Sequence, residues 1–130
     1  MRIALDTNRF SDLGRGDAEL ELLLERAESI FLPFVVVAEL RAGFSLGTKG
    51  RENERALQRF LDKPGVGILW PTEATTRQYA SLYRQLKDQG TPIPTNDLWI
   101  AALVTEHGLT LCDRDRHFDA LPQLERLESP

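Results

Sequence analysis

Residues 95–104 read TNDLWIAALV, and this stretch decides how the rest of the chain is interpreted. From Leu98 to Val104 it contains no polar residue, which predicts a helix buried in the protein core. Asp97 nevertheless puts a carboxylate at the start of this apolar helix. An unpaired buried carboxylate takes up a proton or finds a cation, so we hypothesise that Asp97 holds a metal ion.

Short apolar runs alternate with helical patterns on both sides of this helix. The runs RIAL, SIFLP, VGIL and LTLC predict four strands, and Leu124 to Leu127 predicts a fifth at the sheet edge. Helices are predicted over 17–28, 34–46, the segment around Leu57 to Leu61, 73–89 and 96–107, whereas GTKGREN (47–53) predicts a turn. The valines of 35–37 favour a strand, but Pro33 and the helix formers AELRA favour a helix. Alternating strands and helices predict an α/β fold with a central, mostly parallel sheet of four to five strands flanked by helices.

Length and composition narrow the class of protein. The 130 residues predict a single domain spanning 1–130. Cys112 is the only cysteine, which excludes an intrachain disulfide and fits a reducing, cytoplasmic location. We expect no membrane association, because no apolar stretch has the length of a membrane span. The net charge of −4 argues against nucleic-acid binding through a broad basic surface.

Carboxylates occur in apolar surroundings at four places along the chain. Asp6 ends the first strand, Glu39 lies within VVVAELRAG, Asp97 begins the apolar helix, and Asp113 and Asp115 follow the fourth strand. The carboxyl ends of parallel strands and the neighbouring helix starts meet at one edge of a sheet, where we expect these acids to gather. Mg²⁺ or Mn²⁺ prefers such oxygen ligands, so the pattern predicts a divalent metal site.

Apart from Glu39, whose helical neighbours are apolar, each of these acids taken alone has a simpler interpretation. Asp6, followed by Thr7 and Asn8, is also typical of a helix cap or turn. Asp97 fits a first-turn acid favoured by the helix dipole, and the DRDR run fits a charged loop. Convergence on one sheet edge favours the metal site. His117 is either a supporting group near Asp115 or a structural residue beside Phe118, and we favour the structural role.

The segments ALDTN, VVVAELRAG, TNDLWIAA and DRDRHFDAL, in this order, resemble the PIN-domain ribonucleases and especially the VapC toxins of toxin–antitoxin pairs. The resemblance covers nearly the whole chain and implies a PIN-like three-layer fold. It implies that the catalytic residues are Asp6, Glu39, Asp97 and Asp115, and that the metal ligands are Asp6, Asp97, Asp115 and Asp113. Counting back from Phe118 places the fourth family acid at Asp115. Asp113 then occupies a position that the family usually fills with a hydroxyl residue, and the division of roles between these two acids stays open.

The same resemblance implies roles for polar neighbours and partners. The supporting or substrate-binding positions it implies are Thr7, Asn8, Asn96, Arg41 and Arg114, and Arg9, Arg51 and Arg116 are further candidates for phosphate contacts. The implied reaction is hydrolysis of RNA assisted by Mg²⁺ or Mn²⁺, giving a 5′ phosphate and a 3′ hydroxyl. A cognate antitoxin that blocks the acidic pocket is expected, as is a homodimer formed through the helices around residues 34 to 61.

Three other functions compete with the ribonuclease interpretation. A phospho-acceptor domain would need paired acids after the first strand, and a haloacid-dehalogenase-like phosphatase would need an Asp where this chain has Asn8. Both fit poorly. The main alternative is a catalytically inactive PIN-like domain that binds RNA or a protein partner. The sequence also leaves open whether DNA is cut.

Overall fold

The structure is a computed structural model that describes residues 1–127, so residues 128–130 of the predicted domain lie outside the described part. Strands and helices alternate along this part, as the sequence pattern predicts. In chain order the elements are β1 (Arg2–Leu5), α1 (Thr7–Gly14), α2 (Ala18–Glu25), β2 (Ser29–Pro33), α3 (Phe34–Leu46), α4 (Gly50–Leu61), β3 (Val66–Leu69), α5 (Glu73–Gln89), α6 (Thr95–His107), β4 (Thr110–Cys112), a 3₁₀ helix (Arg116–Ala120) and β5 (Arg126–Leu127).

The five strands form one sheet in the order β3-β2-β1-β4-β5, and every neighbouring pair is parallel. This confirms the predicted α/β class, including the edge strand near the C-terminus. The central strand β1 is the most deeply buried, with Ile3, Ala4 and Leu5 all inaccessible to solvent. Helices on both sides of a parallel sheet exclude water from it, so near-continuous apolar runs are needed in its strands.

The strand order reverses at β1, and this reversal locates the crevice that carries the site. β1 pairs with β2 on one side and with β4 on the other, and the chain reaches β4 only after β3 at the far edge. In open α/β sheets, ligands bind at the carboxyl ends of the strands where the order reverses. Asp6 follows β1 directly, and its N–H donates to the carbonyl of Cys112 at 3.2 Å, which keeps the ends of β1 and β4 side by side.

Two buried helices bring residues from distant parts of the chain to this crevice. The segment 34–46 is helical despite its three valines, and all three are buried against the core. Pro33 ends β2 and precedes the first helical residue, so one proline closes the strand and starts α3. Helix α6 buries most of its apolar run between Leu98 and Val104. None of the helices in the described part is long and apolar enough to cross a membrane.

The sequence-based prediction is wrong in several local details, including the edge strand, which covers only Arg126–Leu127 rather than 124–127. Helix α1 was not predicted, although Asp6 caps it. Helix α2 ends at Glu25 rather than 28 and begins after its cap, Asp17. The turn predicted over 47–53 is shorter, because α4 already begins at Gly50. A Cβ atom at Gly50 would lie 2.9 Å from the backbone oxygen of Phe44, so the close approach of α4 to the end of α3 requires glycine there.

We expect Gly50→Ala to destabilise the protein by about 1–3 kcal/mol, because the added methyl would overlap a backbone atom that cannot move freely. Gly43→Ala is the matched control, since Gly43 lies within α3 and nothing lies within 4 Å of a Cβ built there. This control should stabilise the protein by up to about 1 kcal/mol through helix propensity. Urea denaturation measures both, and equal effects would contradict the proposed close approach.

Candidate active site

A small polar cleft of about 90 Å³ opens at the carboxyl ends of the strands. It is lined by Asp6, Thr7, Asn8, Glu39, Asp97, Ile100 and Asp115. The sequence places four acids at strand ends or at the start of the apolar helix. Three of them, Asp6, Asp97 and Asp115, meet in this cavity with Glu39. Six of its seven lining residues are polar, which distinguishes it from the apolar grooves elsewhere on the surface.

Asp6 is both a helix cap and a cleft residue. Its Oδ1 accepts the backbone N–H of Arg9 at 2.8 Å, which caps α1, while the residue as a whole is only 4% exposed. The pKa of Asp6 is raised to about 6, chiefly by burial and also by the negative charges of Asp113 and Asp115, against the lowering effects of the Arg9 N–H and of Arg114. The sequence offers two interpretations of Asp6, a helix cap and a site residue, and the one side chain fits both.

Glu39 is held by two of the predicted supporting residues. Its Oε2 accepts the hydroxyl of Thr7 at 3.1 Å, and its Oε1 accepts the side-chain amide of Asn96 at 3.1 Å. These bonds connect α3 with the starts of α1 and α6, and Asn8 lies beside them in the cleft lining. The carboxylate is therefore oriented by donors from two other helices rather than left free in solvent.

Asp97 is the third residue of α6 and faces the other acids. Burial raises its pKa, the charges of Asp115 and Glu39 add to this, and the hydrogen bond and charge of His117 oppose it. The ring Nδ1 of His117 lies 2.9 Å from Oδ2 of Asp97 and 3.0 Å from Oδ1 of Asp115. The sequence favours a structural role for His117, but in the structure its ring contacts both Asp97 and Asp115. Its position two residues after Asp115 was the only signal for this.

Asp113 and Asp115 have clearly different environments. Both oxygens of Asp113 bond to the guanidinium group of Arg126, at 2.9 and 2.8 Å, and Oδ1 also accepts the N–H of Asp115. Asp113 is buried, and its hydrogen bonds and charge raise the pKa of Arg126 above the ordinary value. Asp115, by contrast, lines the cleft and caps the 3₁₀ helix through the N–H of His117. Of these two acids, only Asp115 is among the residues that line the cleft.

The predicted phosphate-binding arginines are mostly engaged in ion pairs. Arg114 makes two bonds to Asp12, at 2.8 and 3.1 Å, and its charge acts on Asp6. Arg41 contacts Glu54 at 2.7 Å on α4. Arg9 is buried and pairs with Asp12 of α1 and with Asp17, the cap of α2. The remaining two candidates, Arg51 and Arg116, lie at exposed positions.

Residues 3–124 match the family model of the PIN domain. The chain belongs to the PIN domain family. This PIN domain is 33% identical to the toxin FitB from Neisseria gonorrhoeae over 123 residues, which cover 87% of each chain. It is 34% identical to ribonuclease VapC1 from Haemophilus influenzae over 85 residues, which cover 65% of this chain and 58% of that protein.

A solved structure extends the similarity over nearly the whole PIN domain. VapBC2 from Rickettsia felis, bound to a DNA fragment from its promoter, matches with a TM-score of 0.82 and 29% identity, covering 98% of both chains. The family resemblance inferred from four short motifs is confirmed. The PIN-like fold is confirmed with it.

We expect Asp6→Asn to stabilise the metal-free protein at pH 7. Because the folded carboxyl has a pKa of about 6 against an ordinary value of 3.8, the folded state binds the proton more tightly, and wild-type stability falls as the pH rises through this window. Asparagine caps equally well and carries no charge, so the gain should be about 1–3 kcal/mol at pH 7 and vanish below pH ~4.

Urea denaturation in EDTA at both pH values measures this effect. Asp17→Asn, at the cap of α2 and outside the cleft lining, is the matched control and should show no comparable gain. A destabilised Asp6→Asn protein at pH 7 would contradict the view that buried negative charge costs stability here.

Removal of Arg126 tests its pairing with Asp113. We expect Arg126→Met to destabilise the protein by roughly 3 kcal/mol, because the buried carboxylate would lose its counter-charge. Arg77→Met, which breaks an exposed pair with Glu73 on α5, should change stability by less than about 0.5 kcal/mol. Thermal and urea denaturation of both variants give the comparison, and similar losses would show that the Asp113 pair is no stronger than a surface pair.

Proposed function

We propose that this PIN domain is a metal-dependent endoribonuclease of the VapC type, which hydrolyses RNA phosphodiester bonds and is inhibited by a cognate antitoxin. The observation that carries the proposal is the cleft in which Asp6, Asp97 and Asp115 meet beside Glu39. Similarity to proteins named ribonuclease VapC1 and toxin FitB supports the same reaction class.

The donor set fits a hard divalent cation. Asp6, Asp97 and Asp115 supply oxygen ligands, which Mg²⁺ and Mn²⁺ prefer, and the cleft is small enough for an ion with a few waters. The raised pKa values of Asp6 and Asp97 reflect burial of negative charge, which a bound cation would relieve. When bound, Mg²⁺ or Mn²⁺ would polarise the phosphate and favour ionisation of a water molecule. Asp113 would support the site indirectly. It pairs with Arg126 and accepts the N–H of Asp115, and these contacts fix the loop that carries Asp115.

Glu39 would orient the attacking water and accept its proton. The Thr7 and Asn96 side chains each donate one hydrogen bond to its carboxylate, which leaves further lone pairs on both oxygens. A carboxylate fixed in this way can take a proton at a defined position, in line with general-base catalysis. Asn8 lines the same cleft and would contact the scissile phosphate.

Positive charge near the cleft would bind the RNA backbone. Asp12 holds Arg114 through two hydrogen bonds, and the charge of Arg114 already acts on Asp6, so a phosphate in the cleft would lie within its field. Arg41 would release its ion pair with Glu54 and contact an RNA phosphate farther from the bond that is cut. The products would carry a 5′ phosphate and a 3′ hydroxyl.

A groove between α1, α3 and α4 fits the antitoxin that the family resemblance implies. It encloses about 620 Å³, with apolar residues such as Phe10, Leu40 and Phe60 on its floor and Arg15, Arg59 and Lys63 among its lining residues. No acidic residue lines this groove in the described part of the chain, although the chain as a whole carries a net charge of −4. We therefore propose that an amphipathic antitoxin segment with an acidic face occupies this groove.

The homodimer and the cytoplasmic location stay predictions. Leu46, at the end of α3, is 89% exposed and offers an apolar contact within the predicted region around residues 34 to 61. Trp70 and Tyr83, at 63% and 54% exposed, lie outside that region. An interface that includes them would place the dimer contact elsewhere.

RNA cleavage by the purified protein is the test of this function. A mixed structured RNA pool is incubated with Mg²⁺ or Mn²⁺, alongside an EDTA control and single-stranded DNA of matched sequence. We expect metal-dependent cutting that falls at least about a hundredfold in Asp97→Asn, because a ligand to the ion is lost.

Asp88→Asn is the matched control, since Asp88 pairs with Arg84 on the exposed face of α5. It should cut at the wild-type rate. Cutting that persists in EDTA, or that survives Asp97→Asn, would exclude the metal mechanism. Metal binding without cutting of any RNA would favour an inactive PIN domain that acts as a binding module.

A further inference from the structure

In the described part of the chain, Asp97, Asp115 and His117 form a group of side chains that could hold a metal ion. His117 is the nitrogen donor of this group. One donor atom from each of these residues lies within 4.8 Å of the other two. The histidine enters from the 3₁₀ helix that follows β4, and its backbone N–H also bonds to Oδ1 of Asp115 at 2.9 Å. Its ring is therefore attached to the cleft by both backbone and side chain.

The two distances from Nδ1 of His117 to the carboxylates match those between neighbouring ligands of one metal ion. Nδ1 lies 2.9 Å from Oδ2 of Asp97 and 3.0 Å from Oδ1 of Asp115. Ligands held about 2.1 Å from an ion at adjacent octahedral positions are about 3 Å apart. An ion could thus contact Nδ1 together with one oxygen from each carboxylate, since all three donor atoms lie within 4.8 Å of one another.

We propose that His117 is a nitrogen ligand of the metal, and that it shifts the preference of the site from Mg²⁺ towards first-row transition ions. This inference rests on the metal site proposed above. Mg²⁺ strongly prefers oxygen ligands, whereas imidazole binds transition ions with an affinity that rises from Mn²⁺ to Co²⁺. A site that adds one imidazole to its carboxylates therefore discriminates between these ions in a way that an all-oxygen site does not.

The ring is also accessible for this role. The side chain of His117 is 48% exposed, so an ion and its remaining waters can approach without displacing core residues. Asp97 and Asp115 are the charged groups in contact with Nδ1, and both are acids that can share the ion.

Titration calorimetry of the full chain without a histidine tag tests the proposal, with MgCl₂, MnCl₂ and CoCl₂ as separate probes. His117→Asn removes the imidazole but keeps an amide that can hydrogen-bond to the same carboxylates. We expect it to weaken Co²⁺ binding by at least about tenfold, Mn²⁺ binding by less, and Mg²⁺ binding by no more than about threefold. Equal weakening for the three ions, or no weakening, would overturn the proposal.

The chain offers a matched control, because it has only two histidines. His107 lies in the last turn of α6, at the opposite end of that helix from Asp97, and His107→Asn should bind all three ions as the wild type does. Pulsed electron paramagnetic resonance of bound Mn²⁺ gives a direct second readout. Nitrogen hyperfine coupling from a coordinated imidazole should be present in the wild type and in His107→Asn, and absent in His117→Asn.

The outcomes separate this inference from the proposed function. If the wild type binds none of the three ions, the metal site fails and the role of His117 fails with it. If the wild type binds them but shows no nitrogen coupling, only the role of His117 is excluded, and the carboxylate site stands.

Discussion

Burial of several carboxylates at the carboxyl ends of β1 and β4 is the constraint on which the rest of the site depends. Charges of one sign raise one another's pKa values, and burial adds to the effect, as the value of about 6 for Asp6 shows. The protein offsets this cost with donors and a cation from neighbouring elements. Arg126 pairs with Asp113, and Thr7 and Asn96 donate to Glu39. A divalent cation would complete the same compensation.

Most of the fold could be predicted from the sequence, because strands in a parallel sheet and helices against it have strong apolar patterns. The valine run in α3 shows where context must override propensity, since a 13-residue segment after Pro33 is too long for a small-domain strand. Helix α1 shows the opposite failure. Its sequence, TNRFSDLG, is short and largely polar, and its cap Asp6 was equally well explained as a site residue.

Motif order correctly predicted that Asp6, Glu39, Asp97 and Asp115 lie together. Asp6 and Asp115 follow strands and Asp97 lies in the first turn of a helix at one sheet edge, whereas Glu39 comes from within α3. The difference between Asp113 and Asp115 could not be predicted. It depends on Arg126, which is 13 residues later on the edge strand and has no local pattern that connects it to Asp113. The place of His117 depends on the turn of the 3₁₀ helix, which sequence spacing does not determine.

The most direct test of the central claim is the anomalous diffraction of crystals grown with Mn²⁺. If the cleft is a metal site, an anomalous peak should lie within coordination distance of carboxylate oxygens of Asp6, Asp97 and Asp115, roughly 2 Å from each ligand. Crystals of Asp97→Asn grown in the same way should lack the peak. An empty cleft in well-ordered wild-type crystals with saturating Mn²⁺ would show that these acids do not hold a metal.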